Sequence, residues 1–278
     1  MVFSKEFKSN MGKMIAWILV LTILIGLLFA LYPMMLDINM KSMFDTFVES
    51  LTPNLKLVLG LDESVDYTNL GQYIAFIFQY IAVLVAMFSM QLGGNSLSKE
   101  QEYGTIQYLY SNPISRNEII SQKILANILT YILFLFIIII ITFGLSYAIP
   151  IDSTMNVDSA ISTKDFIIDL VKIFVALLGS GLVYMSIGFF LSSISKSASI
   201  SDGVSVIFVL ITVVLIMAGK VFGSLFFNII DMLPLEVFKP FRFVVSNFSL
   251  MGIGVNIIVI VVFMLLTYLI YNSKDLYY

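Results

Sequence analysis

Six apolar runs alternate with short polar segments along this chain, at residues 14–36, 72–95, 124–149, 166–191, about 203–219 and 250–271. A bilayer-crossing helix needs roughly 20 mostly apolar residues at about 1.5 Å each, so every run predicts one membrane span. The fifth is the shortest and on this count only just crosses a ~30 Å hydrocarbon core. After Lys220 the apolar character resumes in "VFGSLFFNIIDMLP", a stretch too short to cross alone. With Asp231 inside it and Pro234 and Pro240 as breakers, residues 220–245 predict a re-entrant or interfacial segment. Ahead of the first run, "FSKEFKSNMGK" reads as an amphipathic lead-in helix over 1–13. Its Lys5, Lys8 and Lys13 resemble a signal-peptide start, but the following run is too long and lacks a small-residue cleavage site. It is expected to stay as an anchor. After the first span, Met40, Met43, Phe44, Phe47, Val48 and Leu51 recur at helical spacing, with Lys41, Asp45 and Glu49 opposite. That pattern predicts an amphipathic helix lying in the interface or capping a cavity.

The most polar connection, "SLSKEQEYGTIQYLYSNPISRNEIISQK" at 96–123, predicts a helical elbow between the second and third spans. Ser98 with Gln101 fits a capping box, and Ser115 with Glu118 fits a second one. The first helix is expected to carry Glu100, Glu102, Ile106, Leu109 and Tyr110 and to stop before Pro113. Ile114 and Ile119 are spaced as a staple for the second. Gly104 offers a smooth point for close approach.

Composition narrows the class. The 278 residues are 59% hydrophobic and only 12% charged, with a mean hydropathy of +1.00. A soluble domain carries about 25% charged residues, so lipid is the main solvent here. The fold class expected is an all-α integral membrane protein. There is no Cys and no His, which removes thiol chemistry and the commonest metal ligand, so no bound metal is expected. A net charge of −3 without a basic patch gives no footprint for nucleic acid. The span middles hold no Asp, Glu, Lys or Arg, the groups an ion-coupled carrier uses. Gln79, Gln91, Asn127, Thr130, Ser180, Tyr184, Asn256 and Thr267 are expected to hydrogen-bond between helices instead. Ala176, Ser180, Gly181 and Gly188 form a small-residue face, within the subunit or between subunits.

An even number of spans puts both termini on one side. With the termini inside, the short inner segments hold Lys5, Lys8, Lys13, Lys99, Arg116, Lys123, Lys196 and Lys274, and the outer ones hold most acids. That bias favours cytoplasmic termini.

The run "KEQEYGTIQYLYSNPISRNEIISQK" resembles the segment after the second span of ABC-2-type permeases, the membrane subunits of ATP-binding-cassette exporters. The matching positions are Glu100, Glu102, Gly104, Thr105, Leu109, Pro113, Ile114, Ser115, Arg116, Glu118 and Lys123. "LTPNLKLVLGLDESVDYTNLGQYI" and the closing "YNSKDLYY" agree, so the resemblance covers essentially the whole chain. It implies one permease domain over 1–278, with the element at 98–121 as a coupling helix docked on an ABC ATPase. Glu100 and Glu102 would be polar contacts to that partner, Gly104 and Thr105 the close-approach point, and Arg116 a brace or a contact. The complex implied has two ATPase copies and a second permease, identical or related, in a bacterial cell membrane. ATP and Mg would sit on the partner; no G-x-x-x-x-G-K-[ST] loop occurs in this chain, so it binds no cofactor by that route. Catalysis is therefore not expected here. The cargo implied is apolar or amphipathic, such as an antimicrobial peptide, a lipid-like molecule or a drug. Lys220, Asp231 and Pro234 are the candidate outer gate. The rival from another class is a membrane-anchored immunity or sensing protein that binds a peptide without an ATPase.

Overall fold

The computed structural model describes residues 2–61, 65–104, 114–148, 163–222 and 227–274. In chain order the helices are α1 (Val2–Phe29), α2 (Tyr32–Leu36), α3 (Ile38–Ser50), α4 (Pro53–Leu59), α5 (Leu70–Ser96), α6 (Lys99–Glu102), α7 (Arg116–Ser146), α8 (Thr163–Ile194), α9 (Ala198–Phe222), α10 (Phe227–Ile230), α11 (Pro234–Val237), α12 (Pro240–Val244) and α13 (Leu250–Ser273). Among the described residues there is no strand. Six elements are long and apolar enough to cross a membrane: α1 continued by α2, then α5, α7, α8, α9 and α13. The protein is an all-α integral membrane protein.

Two boundaries differ from the sequence pattern. The lead-in and the first span form one helix, because the buried line Val2, Glu6, Asn10, Met14, Leu21, Ile25 and Phe29 advances in steps of four and seven without interruption. That stripe packs on α7. The break falls later, at Ala30 and Leu31, where Pro33 opens α2. The fifth span is not short either. α9 runs Ala198–Phe222, about 37 Å at the usual rise. Several of the polar residues at its start, which hid the helix in the sequence, are satisfied locally or by neighbours, as with Ser205 Oγ donating to Ser201 O at 2.7 Å.

The core is the crossing of α5 and α8. A Cβ on Gly93 would lie 2.3 Å from Met185 O, and one on Gly188 would lie 2.3 Å from Met90 O. The two backbones thus touch where any side chain would separate them, and Ser89 Oγ donates to Gly181 O at 2.6 Å alongside. The small-residue face closes within the subunit. The interior hydroxyls behave differently from expectation: Thr130, Ser180 and Thr267 donate to carbonyls of their own helices. Both asparagines expected to act between elements do so. Asn127 reaches Leu92 O and accepts from Asn10, and Asn256 reaches Met232 O.

Between α9 and α13 the short helices α10, α11 and α12 fold back into the bundle instead of crossing it. Val237, Phe238, Phe241, Phe243 and Val244 are buried, and α12 packs against both α5 and α8. Gly179 leaves the space that the Phe238 ring occupies.

Candidate functional site

The start of α1, the end of α13, α6 and the start of α7 share one end of the bundle. Phe3 N donates to Gln122 Oε1 at 3.2 Å, and Arg116 reaches Asn272 O at 2.9 Å. At this end the polar residues of the elbow meet partners from distant parts of the chain.

Lys123, in the first turns of α7, is fully buried. Its ammonium lies 2.5 Å from Glu100 and 3.3 Å from Glu6, and it also donates to Ser96 O. Glu6 is 3% exposed and takes Lys99 at 2.7 Å as well. Two ammonium groups and two carboxylates thus close a neutral cluster that ties α6 to α1 and α7. Such a cluster is tolerated away from water only because each charge has its opposite.

Glu102 acts on another helix. Its carboxylate accepts from Ala198 N, from Ser199 N at 3.1 Å and from Ser199 Oγ at 2.8 Å, so it caps the start of α9. A carboxylate there meets unpaired backbone donors and the positive end of the helix dipole. The Ser199 hydroxyl, then the backbone amides, hold the Glu102 carboxyl below the usual glutamate range.

The first capping box does not form. Ser98 is buried and in helical geometry, and its hydroxyl donates to Gly94 O at 3.2 Å. The amides of Leu97 and Ser98 instead donate to Ser192 Oγ of α8. α6 ends after one turn, with Gly104 at φ +64° and open space around it. Glycine therefore supplies the left-handed turn here. The second cap does form: Ser115 Oγ accepts from Glu118 N at 3.2 Å. The Glu118 carboxylate takes Gln122 Nε2 instead of reaching back. Thr105 and Pro113, and the helix expected through Leu109 and Tyr110, lie outside the described residues.

Arg116 settles on the end of α13. Its Nη1 donates to Tyr271 O, Asn272 O and Lys274 O at 2.9–3.3 Å, which satisfies carbonyls that a helix terminus leaves unpaired. Lys274 in turn donates to Ser195 O, just past α8, at 2.8 Å. Burial, with Lys196 nearby, pulls the Lys274 ammonium below its usual range.

The sequence pattern of the family described as ABC-2 family transporter protein matches residues 1–276. The chain belongs to the ABC-2 transporter family. It is a multi-pass membrane protein and the membrane subunit of an ABC transporter. No curated protein matches it.

At the opposite end of this ABC-2 subunit, Lys220 lies 2.5 Å from Glu236, and Arg242 lies 3.4 Å from Glu236 and 3.7 Å from Asp231. Pro234 opens α11. The three residues picked out there by sequence thus lie in one network with Pro234 at its edge. Its centre is Glu236. No signal in the sequence marked it, because its partners are 6 and 16 positions away on separate helices.

Proposed function

We propose that this subunit forms the membrane part of an ATP-driven exporter and that the element at 98–121 receives a separate ABC ATPase. The observation that carries the reading is the division of labour within the elbow. Glu100 and Glu102 fix it to α1, α7 and α9, while Tyr103 beside them is 73% exposed and Gly104 has open space. In this reading the two glutamates position the elbow and the partner meets Tyr103, Gly104 and Thr105. Ser115, Arg116, Glu118 and Lys123 then carry displacement into α7 and α13.

The end holding both termini is cytoplasmic, because ATP and Mg on the ATPase are there. Two ATPases act on two permease subunits, identical or related, in a bacterial cell membrane. Their closure tilts the attached helices and opens a path outward past the segment at 220–245, where Lys220, Asp231 and Pro234 form the gate. The uncharged span middles suit an apolar or amphipathic cargo such as an antimicrobial peptide, a lipid-like molecule or a drug. A second reading, a peptide-binding immunity or sensing protein, draws on α3, where Met43 and Phe47 are 68% and 57% exposed.

The test is capture of the tagged chain from its native membrane in mild detergent, followed by mass spectrometry. An ABC ATPase should accompany the wild type and be lost with Tyr103→Asp, which leaves the internal contacts of the elbow intact. If no ATPase accompanies the wild type, the exporter reading fails and the immunity reading takes its place.

A further inference from the structure

An open recess of about 340 Å³ lies between the end of α2, the first turns of α3 and the residues just before α5. Its size falls within the roughly 300–1,000 Å³ of small-molecule sites. Met35 and Leu36, on its apolar side, are the last residues of the first membrane span. The recess therefore stands where hydrocarbon gives way to water, at the end opposite the elbow. In the turns before it, Leu27, Leu31 and Met34 are 59%, 42% and 43% exposed on the lipid-facing side of that span.

Lys41 and Asp45 line the polar side. Among the described residues neither the Lys41 ammonium nor the Asp45 carboxylate has an ion pair or a hydrogen bond. They are one turn apart, but lysine ahead of the acid is the weaker order for pairing along a helix. The other acids nearby are committed. Asp37 Oδ1 accepts from Asn39 N and Met40 N, and Asp66 Oδ1 accepts from Thr68 N. Ser42 and Thr68 complete the polar lining. Each has already given its one hydroxyl proton, Ser42 to Asn39 O at 2.8 Å and Thr68 to Asp66 Oδ1 at 2.6 Å. A hydroxyl so engaged can only accept. The recess thus offers acceptors at Asp45, Ser42 Oγ and Thr68 Oγ1 beside one cationic donor, Lys41.

We infer that this recess holds the headgroup of a lipid with a primary ammonium next to its phosphate, drawn from the leaflet at this end. The ammonium carries three N–H donors, which meet Asp45, Ser42 and Thr68. The phosphate meets Lys41. The acyl chains lie along Met34, Leu31 and Leu27. A quaternary ammonium has no N–H to give these acceptors, and a glycerol headgroup has no positive charge for Asp45. The site is separate from the elbow and goes beyond the exporter reading. Its test needs neither the ATPase nor a cargo.

The full chain is purified into nanodiscs of equal phosphatidylethanolamine, phosphatidylcholine and phosphatidylglycerol with matched acyl chains, then stripped with detergent. Retained lipid is read by native mass spectrometry. The wild type should keep phosphatidylethanolamine in preference to both others. Asp45→Asn should lower that preference about tenfold, the worth of one hydrogen bond between charged groups. Asp45→Lys should turn the preference toward phosphatidylglycerol. Glu49→Gln, one turn on and outside the recess, should leave it unchanged. None of these side chains has an internal partner, so the variants should melt with the wild type and lost folding does not account for lost lipid. Equal retention of the three lipids, an unchanged preference in Asp45→Lys, or the same loss in Glu49→Gln as in Asp45→Asn would overturn the site. Displacement of the lipid by soluble phosphoethanolamine would overturn the bilayer as the source.

Discussion

Lys123 and Glu100 form an ion pair 2.5 Å long in which the lysine has no exposed surface. The pair joins the elbow to the third membrane helix, and Glu6 on the other side of the ammonium brings in the first. Lys123→Met leaves two carboxylates facing each other. The expected loss is about 3–5 kcal/mol, the usual cost of breaking a buried pair from one side. Thermal unfolding in detergent measures it. The double change Lys123→Met, Glu100→Gln should recover part of that loss, because Glu6 keeps Lys99 and no buried charge is then left alone.

The α5–α8 crossing makes a sharper contrast. Gly188→Ala places a methyl where Met90 O stands, and a backbone oxygen has no rotamer by which to yield. A loss of at least the ~1–3 kcal/mol typical of overpacking is expected. Gly203→Ala, with nothing within 4 Å of its Cβ, should cause no loss. Equal melting of the two variants would contradict the crossing.

Glu102 gives a pH dependence with a definite sign. Its carboxyl titrates lower in the folded protein than the ordinary value of 4.5, because the charged form receives the Ser199 hydroxyl and the backbone amides at the start of α9. The contribution is therefore fully present above pH 4.5 and fades as pH falls through the lowered folded value. The gap in melting temperature between wild type and Glu102→Gln should be constant near neutrality and close below pH 4.5. A gap that widens on acidification would show that the cap is not carboxylate.

Arg116→Ala removes a donor from three carbonyls at the end of α13. Hydrogen bonds from a charged donor contribute about 1.5–3 kcal/mol. The last turn of α13 should exchange its amide hydrogens roughly tenfold faster or more by that measure, with the middle of the helix unchanged. Exchange read by mass spectrometry on peptides covering 265–274 tests this.

Much of this architecture is legible in the sequence because bilayer crossing leaves long apolar runs, and because Ser115 caps a helix with groups three residues apart. What was not legible depends on partners far along the chain. Ser98 has the spacing of a cap, but its amide is met by Ser192 from α8, and its hydroxyl donates back to Gly94 O. Glu6 looks like a solvated residue of a surface helix, yet Lys99 and Lys123 allow it to be buried, and so α1 continues unbroken into the membrane. Glu102 reads as a group for a partner, and its preference for the amides of Ala198 and Ser199 cannot be seen at a separation of 96 residues.

The folded-back helices α11 and α12 also constrain how the chain is built. They carry Glu236, Lys239 and Arg242 into a place lined by α5 and α8, which leave the ribosome first. Until those two helices have crossed at Gly93 and Gly188 there is no cradle for the charges, and lipid offers none. Biogenesis is therefore ordered from the N-terminus: the second and fourth spans must assemble before the region after the fifth can settle, and the sixth closes over a seat already occupied.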